Sequence, residues 1–229
     1  MKDEIQPNNA RRRIVKTLGC GLALTPFLAL PARAEWPSDK VIRMVVPFSA
    51  GGATDLLGRA LAAELGKGLK QSVIVETRAG AGGSVGAQAV ASAPADGYTL
   101  LLASGSMFTV NQFIYSKLPY SLADFSPIGK VANGPMVLTV NANLPVKNTR
   151  ELIEYARARP GKLSFSSAGV GSQTHMAGEA FSDAAGIELM HVPYKGEGPA
   201  YTDLMAGVIE VAVGNINAIV PLLKGGRLR

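Results

Sequence analysis

The sequence predicts an α/β protein in which helices cover parallel β-strands. Short apolar runs of strand length alternate with longer segments of helical periodicity along most of the chain. The apolar runs contain few polar residues, which is typical of strands that are buried on both faces of a parallel sheet. Glycine-rich loops follow several of these runs, as expected where a strand turns into a helix.

After residue 35, the first half of the chain has the order strand, helix, strand, helix, strand. Its predicted strands lie at 41–46 (VIRMVV), 72–76 (SVIVE) and 98–104 (YTLLLAS). The segment 54–69 is predicted to form an amphipathic helix with Thr54 as its N-cap residue. One face of this helix collects Leu57, Leu61 and Leu65, and that face is expected to pack on the sheet.

The second half repeats the alternation. Strands are predicted at 135–141, 187–194 and 208–214, helices at 148–161, 198–207 and 217–226, and a strand, glycine loop and helix within 163–181. Asn148 is the expected N-cap of the first of these helices, with Glu151 completing a capping box and Gly161 ending the helix. We place the change of domain between Ser104 and Asn111, just after a predicted strand.

The first 34 residues are predicted to be a secretory signal peptide. They contain a basic start, an apolar stretch from Leu18 to Leu30 and a small-residue pattern ending at Ala34, after which we expect cleavage. The apolar stretch is too short for a membrane anchor. The pair Arg11 and Arg12 also fits a twin-arginine signal, so Sec and twin-arginine export both remain open. The protein is therefore expected in the periplasm.

Charge and cysteine content exclude several classes of function. The signal peptide carries six of the 23 basic and two of the 17 acidic residues, so 17 basic and 15 acidic residues remain after cleavage. This near balance argues against nucleic-acid binding. The single cysteine, Cys20, lies within the signal peptide, so no disulfide or cysteine metal site is expected. With two histidines in the chain, we predict no metal and no cofactor.

Two strand-to-helix loops share one design, in the segments VIRMVVPFSAGGATDLL and LSFSSAGVGSQTHMA. The first N–H groups of a helix have no partner within the helix, and they favour an anion. Glycine allows the backbone to approach a ligand closely. Both loops are therefore candidates for an anion-binding site at the carboxyl edge of a sheet. The alternative is that the glycines serve only a tight turn.

The anion expected at these loops is a carboxylate. The chain has no phosphate-binding P-loop motif, and the two glycine clusters GAGGSV (80–85) and GVGSQT (169–174) both lack the third glycine of the dinucleotide fingerprint. Neither loop contains Arg or Lys for bidentate phosphate binding. Backbone amides and hydroxyl groups remain as donors, the hydroxyls being those of Ser49, Thr54, Ser167, Ser172 and Thr174.

The chain resembles the solute-binding receptors of tripartite tricarboxylate transporters, the Bug-type periplasmic proteins. The resemblance is carried by WPSDKVIRMVVPFSAGGATDLLGR, VIVETRAGAGGSVGAQAVASAPADGYTLL, LPYSLADFSPIGKV, PGKLSFSSAGVGSQTHMAGEAF and VPYKGEGPAYTDLMAG. It implies a two-lobed type II periplasmic-binding-protein-like fold that closes on a small carboxylate and delivers it to membrane permease subunits. Members of the family continue past the equivalent of Arg229, so the resemblance implies a first lobe that is truncated at its C-terminal end, in a fragment or a truncated product.

The resemblance places lobe 1 at 35–105, without its return segment, and lobe 2 at 106–229. It carries over the loops from Phe48 to Asp55 and from Ser167 to His175, and it puts VPYKG near the cleft. The predicted ligand-binding residues are Phe48, Ser49, Ala50, Gly51, Gly52, Thr54, Asp55, Ser104, Ser167, Ala168, Gly169, Gly171, Ser172, Gln173, His175 and Lys195. The protein is expected to bind its ligand without acting as an enzyme.

Two other functions compete with this interpretation. GGSVG, with Ser84 at its centre, matches the nucleophile elbow of serine hydrolases, and His175 or His191 would then act as base. The elbow requires a strand that runs directly into the serine, whereas ETRAGA intervenes here. A sensor that reports its ligand to a membrane kinase shares the same fold. Asp55, the histidines and Lys195 also have ordinary structural roles as alternatives.

Overall fold

The computed structural model of the protein describes residues 36–229. The predicted signal peptide and Cys20 lie outside the described residues. The described chain contains two β-sheets, one on each side of the predicted domain boundary. The division of the chain into two lobes stays a prediction. No helix of the described part is both long and apolar enough to cross a membrane.

The first sheet is parallel throughout. Strands β1 (Ile42–Val46), β2 (Val73–Thr77) and β3 (Thr99–Leu101) have the order β2-β1-β3. Both outer strands pair with β1 in parallel register, which confirms the prediction for this half. Strand β3 is shorter than predicted. The chain leaves the sheet after one further hydrogen bond, from Leu102 N to Val45 O, and turns toward two short helices.

Four helices connect and follow these strands: α1 (Ala53–Leu69), α2 (Ser84–Ala91), α3 (Ser106–Thr109) and α4 (Asn111–Ile114). A 3₁₀ turn (Ala81–Gly83) leads into α2. Helix α1 packs its predicted leucine face on the sheet, where Leu57, Leu61 and Leu65 contact a core of buried apolar residues that includes Met44 and Val46. The predicted amphipathic helix is therefore confirmed.

The predicted N-cap of α1 is wrong. Gly52 occupies that position with φ −88° and ψ 172°, and it has no side chain to accept a hydrogen bond. Asp55 supplies the acceptor from inside the first turn, since its Oδ2 atom accepts from Gly51 N at 3.0 Å. A carboxylate in the first turn also interacts favourably with the helix dipole. Thr54 is thus left free of a capping role.

The second sheet is mixed. Strands β4 (Met136–Val140), β5 (Ser164–Ser167), β6 (Met190–Pro193) and β7 (Val211–Asn215) have the order β4-β7-β5-β6. Strand β5 runs parallel to both of its neighbours, but β4 pairs with β7 in antiparallel register. A fully parallel second sheet is therefore not found. Neighbouring strands that are joined by one helix run parallel. Strand β4 is not joined in this way to its neighbour β7, so the alternation of strands and helices does not determine its direction.

Helices α5 (Thr149–Arg157), α6 (Gln173–Ala185), α7 (Glu197–Ala206) and α8 (Ile216–Leu223) cover the second sheet. Asn148 caps α5 as predicted, because its side chain accepts from Glu151 N at 3.0 Å. The helix ends at Arg157, earlier than predicted. Pro160 explains the early end, since proline disfavours helical geometry in the residue before it.

Buried side chains connect the two sheets. One cluster joins Phe48, at the end of the first sheet, to Ala168, which follows β5. Another joins Ala53, at the start of α1, to Tyr201 and Leu204 of α7. These clusters hold the loop after β1 against the loops after β5 and β6. The carboxyl ends of the parallel strands therefore meet at one place.

Candidate ligand-binding site

The two glycine loops converge on one small cavity of about 30 Å³. The first half of the chain contributes Phe48, Gly52, Thr54 and Ser104, and the second half contributes Ala168, Ser172, Gln173, Thr174, Glu197 and Asn215. The volume corresponds to about two water-sized groups. It therefore fits a group such as a carboxylate, and a ligand with three to six carbons requires the surrounding loops to move apart.

Four backbone N–H groups, on cavity-lining residues at the starts of two helices, are available to a ligand. They belong to Gly52 and Thr54 at the start of α1, and to Gln173 and Thr174 at the start of α6. Within residues 36–229, none of the four donates to a protein acceptor. Residues at two helix N-termini thus line one cavity and have unpaired N–H groups, an arrangement that favours an anion.

Several other amides of the two loops are already bonded within the protein. Ser49 N donates to Lys195 O at 3.0 Å. Gly51 N, Ala168 N, Gly169 N and Gly171 N donate to the side chains of nearby residues. These amides shape the loops, and in this conformation they are not free for a ligand.

The predicted site residues therefore fall into two groups. The cavity brings together Phe48, Gly52, Thr54, Ser104, Ala168, Ser172 and Gln173. The remaining predicted residues do not line it; they are Ser49, Ala50, Gly51, Asp55, Ser167, Gly169, Gly171, His175 and Lys195. Most residues of the second group instead form hydrogen bonds within and between the loops.

Asp55 has a structural role in this conformation. Its side chain is buried, with 3% of its surface exposed. Besides Gly51 N, it binds the Arg59 guanidinium, with Nε donating to Oδ2 at 3.1 Å and Nη2 lying 3.0 Å from Oδ1. The carboxylate thus holds the turn at the start of α1 and pairs with a cation one helical turn further on.

Two cavity residues were not predicted from the sequence, Asn215 and its hydrogen-bond partner Glu197. Glu197 is the acidic residue of the cavity lining. It begins α7 and is buried, with 6% of its surface exposed. Its Oε2 atom accepts from Ala53 N at 2.8 Å, and its Oε1 atom accepts from Tyr201 Oη at 2.9 Å, Asn215 N at 3.1 Å and Asn215 Nδ2 at 2.9 Å. Burial, and after it the charge of Glu197, raises the pKa of Tyr201 far above its usual range.

The sequence contains a weak signal for this residue. Glu197 lies between two glycines in the string KGEGP, directly before a predicted helix. The glycines allow a close approach of the backbones: a Cβ atom at Gly196 would lie 2.5 Å from Ser49 N, and one at Gly198 would overlap Ala50 O. Glycines on both sides of an acidic residue can allow its backbone to approach another loop closely. The acidic side chain is then a candidate for a hydrogen bond to that loop.

The two histidines lie beside the cavity and stack on each other with ring centroids 4.0 Å apart. His191 Nε2 is 2.7 Å from Ser167 Oγ. Burial, followed by the neighbouring His175, lowers the pKa of His191 to about 4. These contacts hold Ser167 at the end of β5, directly before the glycine loop that leads into α6. Both histidines therefore have structural partners within the protein.

A metal ion does not fit the cluster of His175, Glu179 and His191, although their ligand atoms lie within 4.8 Å of one another. His175 Nδ1 accepts a hydrogen bond from Gly171 N at 3.3 Å. A backbone N–H can only donate, so the proton of the neutral ring is on Nε2, the atom that faces Glu179 at 3.5 Å. That nitrogen then has no lone pair for a metal.

The hydrolase interpretation lacks its catalytic pair. Ser84 is buried at the start of α2, and its Oγ atom accepts from Asn111 Nδ2 at 3.3 Å. Among the described residues, neither histidine is hydrogen-bonded to Ser84. The serine that does contact a histidine, Ser167, is itself buried and does not line the cavity.

The α/β fold and the cavity between its two sheets suit a solute-binding protein, and comparison with known proteins gives the family. Residues 57–229 match TctC, described as the tripartite tricarboxylate transporter family receptor. The chain belongs to this family. It is similar to protein BugT of Bordetella pertussis, with 39% identity over 219 residues that cover 95% of this chain and 67% of BugT.

Solved structures show the same similarity. A Rhodopseudomonas palustris protein with adipate has a TM-score of 0.80 and 38% identity, covering 85% of this chain and 65% of its own. MatC from the same species, with bound malate, has a TM-score of 0.75 and 30% identity, covering 82% of this chain and 65% of its own. The present chain thus spans about two thirds of the length of these relatives.

These comparisons confirm the resemblance and the α/β periplasmic-binding-protein-like fold that it implied. The family is described as a receptor family, and its structural neighbours include a protein described as the periplasmic binding protein BugD. This agrees with the prediction of a binding protein that is not an enzyme.

Proposed function

We propose that the protein captures a small carboxylate in the periplasm and presents it to the membrane permease subunits of a tripartite tricarboxylate-type transporter. The observation that carries this proposal is the set of four unpaired N–H groups, two from each of two helix N-termini, around one cavity. Family membership and the adipate and malate bound to its structural neighbours support it.

The donors are sufficient in energy for a useful affinity. Hydrogen bonds to a charged group contribute about 1.5–3 kcal/mol each, and a micromolar dissociation constant requires about 8 kcal/mol. Four such bonds reach this value before the cost of ordering the ligand and loops. The cavity lining contains no Lys, Arg or His, so recognition depends on the backbone donors together with polar side chains of the lining such as the Thr54 hydroxyl.

The proposed site combines the cavity-lining residues with the loops that support them. We further propose that 35–105 and 106–229 act as two lobes, because the free N–H groups come in equal number from each. A ligand that bonds to both pairs stabilises the closed arrangement over an open one. Capture and release then follow from opening and closing of the cleft, without any covalent chemistry.

Isothermal titration calorimetry of the purified protein with C3–C6 mono- and dicarboxylates tests this function. Saturable heats with at least one acid are expected. Gln173→Pro tests the backbone donors directly, because Gln173 is the first residue of α6, where proline is tolerated and removes only an N–H that the helix does not use. Ser172, before it, already has the extended geometry that proline requires (φ −67°, ψ 159°).

Gln173→Ala is the matched control, since it removes the side chain and keeps the N–H group. We expect Gln173→Pro to bind at least about tenfold more weakly than Gln173→Ala. Equal affinity of the two variants would exclude this amide as a ligand donor. A folded protein that gives no heat with any acid of the panel would refute the proposed function.

A further inference from the structure

We propose that Glu197 makes the cavity selective for carboxylates that carry a hydroxyl or ammonium group on the carbon next to the carboxylate. This inference rests on the function proposed above, and it identifies the class of ligand that the same cavity prefers. Three features of Glu197 carry it: its unused hydrogen-bonding capacity, its charge, and its distance from the free N–H groups.

Glu197 has acceptor capacity left on Oε2, the oxygen that lies near Gly52 and Ala53 at the start of α1. A carboxylate offers about four lone-pair sites. Oε1 accepts from three donors, contributed by Tyr201 and Asn215, whereas Oε2 accepts only from Ala53 N. A Cβ atom on Gly52 would lie 3.3 Å from Oε2, and both Gly52 and Glu197 line the cavity. A ligand donor in the cavity therefore has an acceptor.

Glu197 is also the only residue with an ionisable side chain among those that line the cavity. The ligand carboxylate is attracted by the four N–H groups but repelled by this buried carboxylate, with no lining cation to offset the repulsion. A donor placed between the two carboxylates converts part of that repulsion into a charge-assisted hydrogen bond. A ligand without such a donor keeps the full repulsion.

The short distance between Glu197 and the start of α1 decides where the donor must be. Oε2 of Glu197 would lie 3.3 Å from a Cβ atom on Gly52, whose N–H group has no acceptor among the described residues. A carboxylate bound at that N–H group places its neighbouring carbon nearest to Glu197. A hydroxyl or ammonium group on this carbon is therefore the ligand donor closest to Oε2, so 2-hydroxy and 2-amino acids are the preferred class.

Two matched pairs of acids test the inference on the unmodified protein: malate against succinate, and lactate against propionate. Each pair differs by one hydroxyl group beside a carboxylate. Calorimetric titration is expected to show malate binding at least about tenfold more tightly than succinate, the factor for a hydrogen bond to a charged group. The same direction is expected for lactate against propionate.

Glu197→Gln tests whether Glu197 causes this preference. Removing the charge is expected to reduce the malate-to-succinate ratio to about twofold or less, mainly because succinate is no longer repelled. Glu179→Gln is the control: Glu179 is an acid on α6, 49% exposed, outside the cavity lining, and its loss is expected to leave the ratio unchanged.

The outcomes separate this inference from the proposed function. Equal binding of malate and succinate by the unmodified protein would overturn the inference and leave the carboxylate receptor intact. Retention of the full ratio in folded Glu197→Gln would also overturn it. Absence of binding by all acids would overturn both. If Glu197→Gln does not fold, the affinities of the unmodified protein for malate and succinate still test the inference.

Discussion

Asp55 and Glu197 show how surroundings determine what a carboxylate does at a helix start. Both are buried near the first turn of α1. Asp55 belongs to the helix itself and pairs with Arg59, so its charge is compensated locally. Glu197 reaches the same turn from α7 and is held by neutral donors only. The first therefore serves the helix, whereas the second brings to the cavity a carboxylate that no Lys, Arg or His side chain of the lining pairs with.

His191 is expected to make stability depend on pH. Burial and the adjacent His175 lower its pKa from 6.5 to about 4 in the folded protein. Between these values the unfolded chain binds a proton that the folded protein does not, so the free energy of unfolding rises with pH. The contribution of His191 is complete above about pH 6.5 and is lost as the pH falls toward 4.

His191→Gln removes this proton and keeps a hydrogen-bonding partner for Ser167. Urea unfolding midpoints measured across pH 4 to 6.5 should therefore rise less steeply for the variant than for the unmodified protein. Carboxylates such as Glu76, whose pKa is lowered by its hydrogen bonds with Arg43 and Arg78, contribute the same slope to both proteins. Identical pH profiles would show that His191 titrates normally in the folded state.

The parts of the candidate site that are local in the chain are predictable from the sequence. The glycine loops and the presence of a helix after each follow from residues a few positions apart, although the exact helix starts at Gly52 and Gln173 do not. Glu197 was missed because its partner Ala53 is 144 residues away in the chain. Nothing in the local pattern around KGEGP indicates which loop its side chain contacts.

At the level of elements, the contact between the first turns of α1 and α7 depends on glycine. Ser49 N and Ser49 Oγ both donate to Lys195 O, at 3.0 and 3.1 Å, beside the bond from Ala53 to Glu197. Gly198 allows this approach, because a Cβ atom there would overlap Ala50 O. Because the atom that this Cβ would overlap belongs to the backbone, no flexible side chain can move aside to make room for it.

Gly198→Ala is therefore expected to destabilise the protein by about 1–3 kcal/mol, the usual range for overpacking. Gly68→Ala in α1 is the matched control, because a Cβ atom there has nothing within 4 Å. Replacing glycine by alanine within a helix raises stability by up to about 1 kcal/mol. Urea unfolding measures both changes, and equal stability of the two variants would contradict the close contact at Gly198.

The elements themselves were largely predictable, and the errors have physical causes. Helix α5 was predicted together with its Asn148 cap because an N-cap is a short-range pattern. The predicted capping box is incomplete, since the Glu151 carboxylate accepts from Lys147 N and not from Asn148 N. The direction of β4 was not, since an apolar run has the same appearance in parallel and antiparallel strands. The cap of α1 was assigned to Thr54 because a hydroxyl usually performs that role, whereas here Asp55 accepts the bond from within the helix.

At the scale of the whole molecule, the cavity is formed where two buried clusters join the sheets. Phe48 and Ala168 belong to one cluster, and Ala53 and Tyr201 to the other. Residues 36–229 accordingly form one compact unit by their contacts. Opening of a cleft at this place exposes part of both clusters, so ligand binding and the contact between the sheets are coupled energetically.

This coupling predicts that the two sheets unfold together. Trp36 is the only tryptophan of the chain, and it lies against Gly97, just before β3 of the first sheet. Its fluorescence therefore reports on the first sheet, whereas far-ultraviolet circular dichroism reports on helices of both halves. We expect urea transitions followed by the two signals to coincide, as in a two-state process.

Gly198→Ala is expected to separate the two transitions, because it weakens the contact of α7 with the loop after β1 and leaves each sheet with its own core. Gly68→Ala, which lies away from this contact, should keep them coincident. Separate transitions in the unmodified protein would mean that the clusters between the sheets contribute little to stability. The cavity would then be held by its loops alone, and a ligand would have to bring the two sheets together at a cost to its affinity.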